Sequence, residues 1–270
     1  MLEELFSRYL EVITVIGVFV TFLFLISVII KRNDIADVAW GFGIFLVALT
    51  SYRFGVQNEY TLLLTVLAGL WGLRLTWRIF RRNRKKGEDV RYKKWRDNWG
   101  QWFYLRSFFQ VYVLQGFLMT VVGFGFVFVS VHGADLKLGV ATVVGVLVWL
   151  IGYYFEVVGD WQLDRFLVNP ENRGRVMKRG LWRFTRHPNY FGEVVMWWGV
   201  WLVLSPLTMS YLALISPLVI TYLIFKVSGI PMLEETMSKD PQYQQYMRET
   251  NQFFPWRPKL ESKSVNGSGG

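Results

Sequence analysis

Long apolar stretches alternate with short basic ones along the whole chain. A membrane-crossing helix needs about 20 predominantly apolar residues. Seven runs approach that length, at residues 10–30, 35–54, 60–77, 108–131, 138–158, 190–204 and 211–226. The first run reads as a span rather than a cleaved leader, because its flank is acidic, the run is too long, and no small-residue cleavage site follows it. The last two are short, and Ser205-Pro206 between them allows a helical hairpin that does not cross fully. The pattern predicts an all-α polytopic membrane protein of about seven transmembrane helices, with one domain over 1–258. Residues 259–270 form a flexible tail of linker composition. The polar, aromatic stretch 231–258 reads as a cytoplasmic helix with an extended end that packs back on the protein.

Charge turns the spans into a topology. Cations crowd the 78–106 and 165–186 loops and the Lys31-Arg32 turn, whereas only Arg8, Arg53 and Lys137 fall on the other side. With seven crossings the three basic loops share one face, which the positive-inside rule makes cytoplasmic, so the N-terminus is out and the C-terminus in. The excess of 30 Lys+Arg over 20 Asp+Glu therefore reports orientation, and no nucleic-acid partner is expected. A mean hydropathy of +0.27 with 53% hydrophobic residues agrees. The bilayer is the expected surroundings, a bacterial inner membrane the expected location. Cysteine is absent, which excludes thiol catalysis, disulfides and Cys-ligated metal. His132 and His187, the two histidines, lie far apart, so no metal site is expected. Gly41-Phe-Gly43 and Gly123-Phe-Gly125 lack the third glycine of a dinucleotide fingerprint, and no P-loop, zinc-protease or nucleophile-elbow motif is present.

Three constellations could carry chemistry. Arg186-His187-Pro188-Asn189-Tyr190-Phe191-Gly192-Glu193 stands where the second basic loop re-enters the membrane. Pro188 suits a first helical turn, and free backbone N–H groups beside a cation there can meet an anion. Glu156, Asp160 and Asp164, four residues apart, line one face of the preceding helix. Carboxylates inside a span face a protein interior or a watery cavity, where they accept from sugar hydroxyls or pair with arginines. Asp37 opens the second span within Asn33-Asp34-Ile35-Ala36-Asp37-Val38-Ala39-Trp40, with Arg74 of the third span as a reasonable counter-charge. Arg81, Arg82, Asn83, Arg84 and Lys85 follow, then Gly87-Glu88-Asp89-Val90-Arg91-Tyr92, with Gln110 and Gln115 on the fourth span. Most of these cations anchor the membrane surface, and a few can hold phosphates.

From about Glu156 to Pro258 the chain resembles the C-terminal domain of the steroid 5α-reductase superfamily. The 186–193 string is also similar to the re-entry motif of membrane sterol reductases and isoprenylcysteine carboxyl methyltransferases. The Ile35–Gly41 and Asn83–Tyr92 strings look like that superfamily's bacterial, uncharacterised-domain branch. The resemblance implies a seven-span enzyme that binds NADPH in a cytoplasm-facing cavity and reduces a C=C conjugated to a carbonyl in a lipid-like substrate (steroid, isoprenoid or fatty acyl). By matched position it implies cofactor contacts at Asn83 and Arg84, at Glu156 and Asp160, and at Asn189. The loop from Arg173 to Arg186 would lie over the adenosine phosphate, with His187 and Tyr190 beside it. In animal relatives a Glu of the second span and a Tyr of the third polarise the carbonyl. The acidic counterpart here is Asp37. The Tyr position falls near Trp71 or Gly72, which leaves Tyr92, Tyr104 or Tyr112 to supply the donor. Asp37, Glu193 and Tyr92 are thus the catalytic candidates, and a low-dielectric setting favours a protonated Asp37 acting as donor. The competing readings are an S-adenosylmethionine-dependent membrane methyltransferase, suggested by the shared Arg-His-Pro string and the Glu234-Glu235…Phe254-Pro255 ending, and a non-catalytic lipid-binding relative.

The charge asymmetry predicts that reporter fusions in the 78–106 and 165–186 loops give the same cytoplasmic signal. Opposite signals from the two loops would overturn the topology.

Overall fold

In the computed structural model, residues 2–84 and 86–259 are described, and among them there are helices and no strand. Lys85 and the linker-like tail from 260 onward lie outside the described residues. Contacts divide the chain into two compact units, one of Met1–Val144 with Val200–Val219, the other of Gly145–Gly199 with Ile220–Gly270.

The first unit begins with α1 (Leu2–Ile30), α2 (Ile35–Phe54) and α3 (Glu59–Asn83). In α1 the buried residues are Val12, Ile16, Val20, Leu23 and Ser27. That spacing is one narrow seam; Phe6, Phe22 and Ile29 on the other faces are exposed, as lipid-facing positions should be. Between α2 and α3 the approach is much closer. A Cβ on Gly41 would strike the Gly72 carbonyl, and one on Gly72 would strike that of Gly41, so only glycine fits at either position. Asn58 starts α3 with a capping box, accepting from Thr61 N at 3.0 Å while its own N–H reaches Thr61 Oγ1 at 3.1 Å. Then follow α4 (Val90–Trp99), α5 (Phe103–Ser107), a wide π-type winding over Phe108–Val113, α6 (Leu114–Val122) and α7 (Phe124–His132).

The second unit holds most of α8 (Val140–Val168) and α9 (Pro188–Leu204), the end of α10 (Ile215–Tyr222), then α11 (Ile230–Met237) and α12 (Pro241–Glu249). Here the glycines form a ladder. Gly145, Gly152 and Gly159 recur every seven residues on α8, and Gly192 and Gly199 do so on α9. An added Cβ on Gly152 would meet Gly192 O at 2.5 Å, one on Gly199 would meet Gly145 O at 2.8 Å, and one on Gly159 would touch Pro188 at 3.2 Å. The two antiparallel helices are therefore in backbone contact along a heptad seam.

Among the described residues, six helical stretches are long and apolar enough to cross a membrane: Leu2–Ile30, Ile35–Phe54, Glu59–Asn83, Val90–Val122, Val140–Val168 and Ser210–Met237. They make this an all-α polytopic membrane protein. Three of the differences from the apolar runs bear on the polar sites. The run 108–131 is interrupted at Gly123, where the backbone turns and a Cβ would collide with Val47. α8 continues ten residues past the expected end at 158, because Glu156 and Asp160 lower the hydropathy without breaking the helix. The run 190–204 falls in α9, whose 17 residues span about 25 Å by helical rise, less than the hydrocarbon core of ~30 Å.

The ladder predicts that Gly152→Leu or Gly192→Leu destabilises the protein by about 1–3 kcal/mol through overpacking. Gly17→Ala, which meets nothing within 4 Å, is neutral or mildly stabilising. Thermal unfolding in one detergent ranks the three; equal melting of Gly192→Leu and wild type would rule out the backbone seam.

Candidate functional site

In the first unit a strap of charged residues ties the α1–α2 turn to the segment after α3. Lys31 adopts a left-handed conformation (φ 55°), which turns the chain sharply at the end of α1. Arg32 then grips Asp34 with a two-pronged contact, Nε to Oδ1 at 3.0 Å and Nη2 to Oδ2 at 2.7 Å, and also donates to Asn83 O at 3.2 Å. Glu88 accepts from the Asn33 N–H at 2.9 Å and from Arg96 Nη2 at 2.9 Å, while Asn33 Nδ2 donates to Ser107 Oγ at 2.8 Å. Asp89 caps α4, accepting from Arg91 N at 2.9 Å. Burial works against its charge, but the side-chain and backbone bonds from Arg91 outweigh it, and the Asp89 carboxyl lies below its ordinary pKa.

This strap delivers Arg91 and Tyr92 to Asp37. Arg91 Nη2 donates to Asp37 Oδ2 at 2.8 Å, Tyr92 Oη to Oδ1 at 2.8 Å, and Gln115 Nε2 to Oδ1 at 3.3 Å. Asp37 therefore takes its cation from the α4 start, where the sequence suggested Arg74. Arg91 and the Gln115 amide nitrogen can only donate, so Asp37 accepts from both, and the Tyr92 phenol donates to it as well. Of the three tyrosines considered, Tyr92 reaches Asp37. Tyr112 donates instead to Asn33 O at 3.4 Å, and Tyr104 is exposed.

Asn83 and Arg84 lie elsewhere in the same unit. They line a cavity of about 310 Å³ together with Arg32, Asp34 and apolar side chains of α1, α2 and α3. The α2 residues on this cavity are Ile35, Val38, Ala39 and Phe42. By helical periodicity Asp37 stands on the other side of α2. The cavity and the Asp37–Tyr92 pair are thus separate places.

The second unit gathers the other candidates around the start of α9. Arg186 and His187 are buried, yet they face inward onto the chain's own C-terminal region. Arg186 Nε and Nη2 bind Glu234 Oε1 at 2.9 and 2.8 Å, and Nη1 donates to Thr250 O at 2.7 Å and Met247 O at 3.1 Å. These contacts engage every nitrogen of the guanidinium, so Arg186 acts as a clasp between the α9 start and α11–α12 rather than as a cation held out to a phosphate. His187 Nε2 lies 2.9 Å from the same Glu234 oxygen, and Gln252 Nε2 donates to Oε2 at 2.9 Å. Because a carboxylate accepts, Nε2 carries a proton, and His187 Nδ1 is left buried with no partner among the described residues. The His187 ring stacks on Tyr190 at 5.5 Å. Tyr246 donates to Trp182 O, Lys178 bonds Glu249 at 3.3 Å, and Trp256 N reaches Phe184 O at 3.1 Å, so the chain end does fold back as expected, after two helices instead of one. Burial, with the Glu234 charge adding to it, pushes the Tyr243 hydroxyl up to about 12, and burial likewise raises Tyr246.

Glu156 and Asp160, 2% and 4% exposed, sit on α8 beside the glycine seam, whereas Asp164 is exposed. An added Cβ on Gly192 would meet Glu156 N at 2.5 Å, and one on Gly159 would meet Asn189 N at 3.4 Å, so both carboxylates border the first turns of α9. Asn189 and Glu193 are half-buried there, while Arg173 is exposed near Gly174, whose carbonyl accepts from Gln242 of α12 at 3.2 Å. The sequence did not single out Glu234 as the partner of His187, nor Gln252 as a second donor to Glu234. The acidic Glu234-Glu235 pair after an apolar span was the available signal.

The clasp predicts that Arg186→Ala lowers stability by about 3–5 kcal/mol, since it leaves the Glu234 carboxylate buried without its main cation. Tyr246→Phe loses about 1–2 kcal/mol with the buried hydroxyl that bonds the Trp182 and Thr185 carbonyls. Thermal unfolding checks both; an Arg186→Ala protein that melts with wild type would return Arg186 to the list of ligand-binding cations.

The family described as "Protein of unknown function (DUF1295)" matches residues 23–250. Over 232 residues the chain is 22% identical to an uncharacterized protein of Schizosaccharomyces pombe, the match covering 75% of this chain and 65% of that protein. The chain thus spans less than two thirds of that relative's length. No solved structure matches it. The matched region starts in the last third of α1, ends just beyond α12 and contains both polar clusters, so the chain belongs to the DUF1295 family.

Proposed function

We propose that this protein is a membrane reductase of the steroid 5α-reductase type, which uses NADPH to reduce a C=C conjugated to a carbonyl in a lipid-like substrate. The observation that carries the reading is the 2.8 Å contact between Asp37 and Tyr92. It pairs an acid of the second span with a phenol, the two residue types that the resemblance implies for polarising a carbonyl, although the phenol comes from a different place in the chain. Supplied with hydride at its β-carbon, an enone develops negative charge on its oxygen and then takes a proton at the α-carbon. The donor for that oxygen is Tyr92. When its O–H turns toward a developing enolate, Asp37 keeps Arg91 at 2.8 Å and Gln115 at 3.3 Å, so no carboxylate is stranded. Asp37 and Arg91 therefore position the phenol.

NADPH supplies the hydride when bound. The second unit offers suitable residues for it. His187 Nδ1 is a buried nitrogen without a partner among the described residues, and a ribose hydroxyl, which can donate or accept, fits it, with Asn189, Tyr190, Glu156 and Asp160 nearby to hold amide and sugar groups and Glu193 one turn further along α9. Exposed Arg173 is a better candidate for phosphate than the clasped Arg186. The basic side of the membrane would be the cytoplasmic one, where the cofactor is found.

Native mass spectrometry of the gently purified protein tests the class: retained NADPH supports the reading, and retained S-adenosylmethionine replaces it with methyl transfer. Tyr92→Phe should then lower turnover of lipid enones, followed by NADPH absorbance, by about 10²–10⁴-fold without loss of cofactor binding. Wild-type turnover in a folded Tyr92→Phe protein would remove the phenol from the mechanism. Asp37→Asn, which keeps the shape but weakens the hold on Tyr92 and Arg91, should lower turnover by a smaller factor.

A further inference from the structure

The cavity on the far side of α2 from Asp37 has a shape and a charge of its own. Its floor is Val38 and Ala39 of α2, its walls are Leu23 and Ile30 of α1 and Phe80 of α3, and polar groups occur at one end almost exclusively. Phe19 and Phe42, with ring centroids 5.6 Å apart, stand at the opposite, apolar end. Both Ile30 and Phe80 are close to half exposed, so the walls open toward the lipid face that α1 presents.

Length and charge identify an occupant. From Phe19 to Ile30 the α1 wall runs about 16 Å by helical rise, roughly half of a ~30 Å hydrocarbon core. The groove is therefore one leaflet deep. At its polar end Arg32 is neutralised by Asp34 through two short hydrogen bonds. Arg84 is exposed at the rim, and Arg81, Arg82 and Lys86 around it are exposed too. The mouth thus carries net positive charge at the level where lipid headgroups lie.

We propose that this groove holds one acyl chain of an anionic glycerophospholipid, with the headgroup phosphate at Arg84. A free phosphate would use the mouth and leave a carbon-walled groove facing lipid. A zwitterionic lipid would fill the groove and gain little from the cations. A single anionic lipid uses both. Since Asp37 and Tyr92 stand on the other side of α2, the bound lipid is distinct from the reductase substrate, and the proposal holds whichever reaction the protein catalyses.

The full chain, reconstituted in nanodiscs of equal parts phosphatidylglycerol and phosphatidylcholine and transferred to mild detergent, can be read by native mass spectrometry. One phosphatidylglycerol per chain should be retained, in preference to phosphatidylcholine by about tenfold, the factor expected of one charge-assisted contact. Arg84→Gln should bring the two lipids close to parity. Val38→Trp should fill the groove and abolish retention of both; Ala39→Leu serves the same purpose if Val38→Trp does not fold. Inorganic phosphate should displace nothing. Equal retention of the two lipids by wild type, no retained lipid, or undiminished retention in folded groove-filled variants would each overturn the proposal, and displacement by inorganic phosphate would reassign the mouth to a free anion.

Discussion

Inside a bilayer, helices gain nothing from hiding apolar surface, because lipid tails are as apolar as leucine. They associate only as closely as their backbones allow, and glycine sets that limit here. In the first unit the Gly41–Gly72 contact lies one turn along α2 from Asp37 and joins α2 to α3 carbonyl against Cα. The same contact lets the Phe42 N–H meet Thr76 Oγ1 at 2.9 Å across the pair. In the second unit the seam of Gly145, Gly152 and Gly159 against Gly199, Gly192 and Pro188 places Glu156 beside the first turns of α9. Glu156, on the α8 side of the second seam, owes its depth to this close approach. A side chain of even one carbon at Gly152 or Gly192 would move a carboxylate-bearing helix relative to its neighbour.

Legibility in the sequence followed the kind of force involved. Hydropathy reports which residues lipid can tolerate, so the run 35–54 coincides with α2, while α1 and α3 extend past their runs only where polar residues meet the interface. It missed the last third of α8 for the same reason, since Glu156 and Asp160 are buried by protein and say nothing about where the helix ends. The re-entry motif was legible as a Pro-initiated helix, and α9 does start at Pro188. Partner choice was not legible. The sequence pointed to Arg74 as the cation for Asp37, and the structure brings Arg91 to it. What separates them is the strap from Arg32, Asn33 and Glu88, whose contacts cross more than 50 residues of chain. Arg186 is the same case, captured by Glu234 from 48 residues away. A cation before a helix start reads as an anion site until the protein supplies the anion itself.

The strap also explains how a short stretch carries so many charges at a membrane surface. Arg32 cancels Asp34, and Arg96 cancels Glu88, so the scaffold is close to neutral and holds position by hydrogen bonds. The Asp37 group is different. One guanidinium, Arg91, is shared between two carboxylates, at 2.8 Å from Asp37 and 3.0 Å from Asp89. It therefore balances each acid less completely than a dedicated partner would, and Tyr92 places its hydroxyl on the Asp37 carboxyl beside it. A neutral pair at this point would only brace the fold, as its neighbours do. A carboxylate incompletely balanced by its arginine is a strong acceptor, and it fixes the direction of the phenol O–H until a more basic oxygen competes for it. The difference between the strap and the Asp37 group is therefore one of charge balance, and the proposed reaction rests on it.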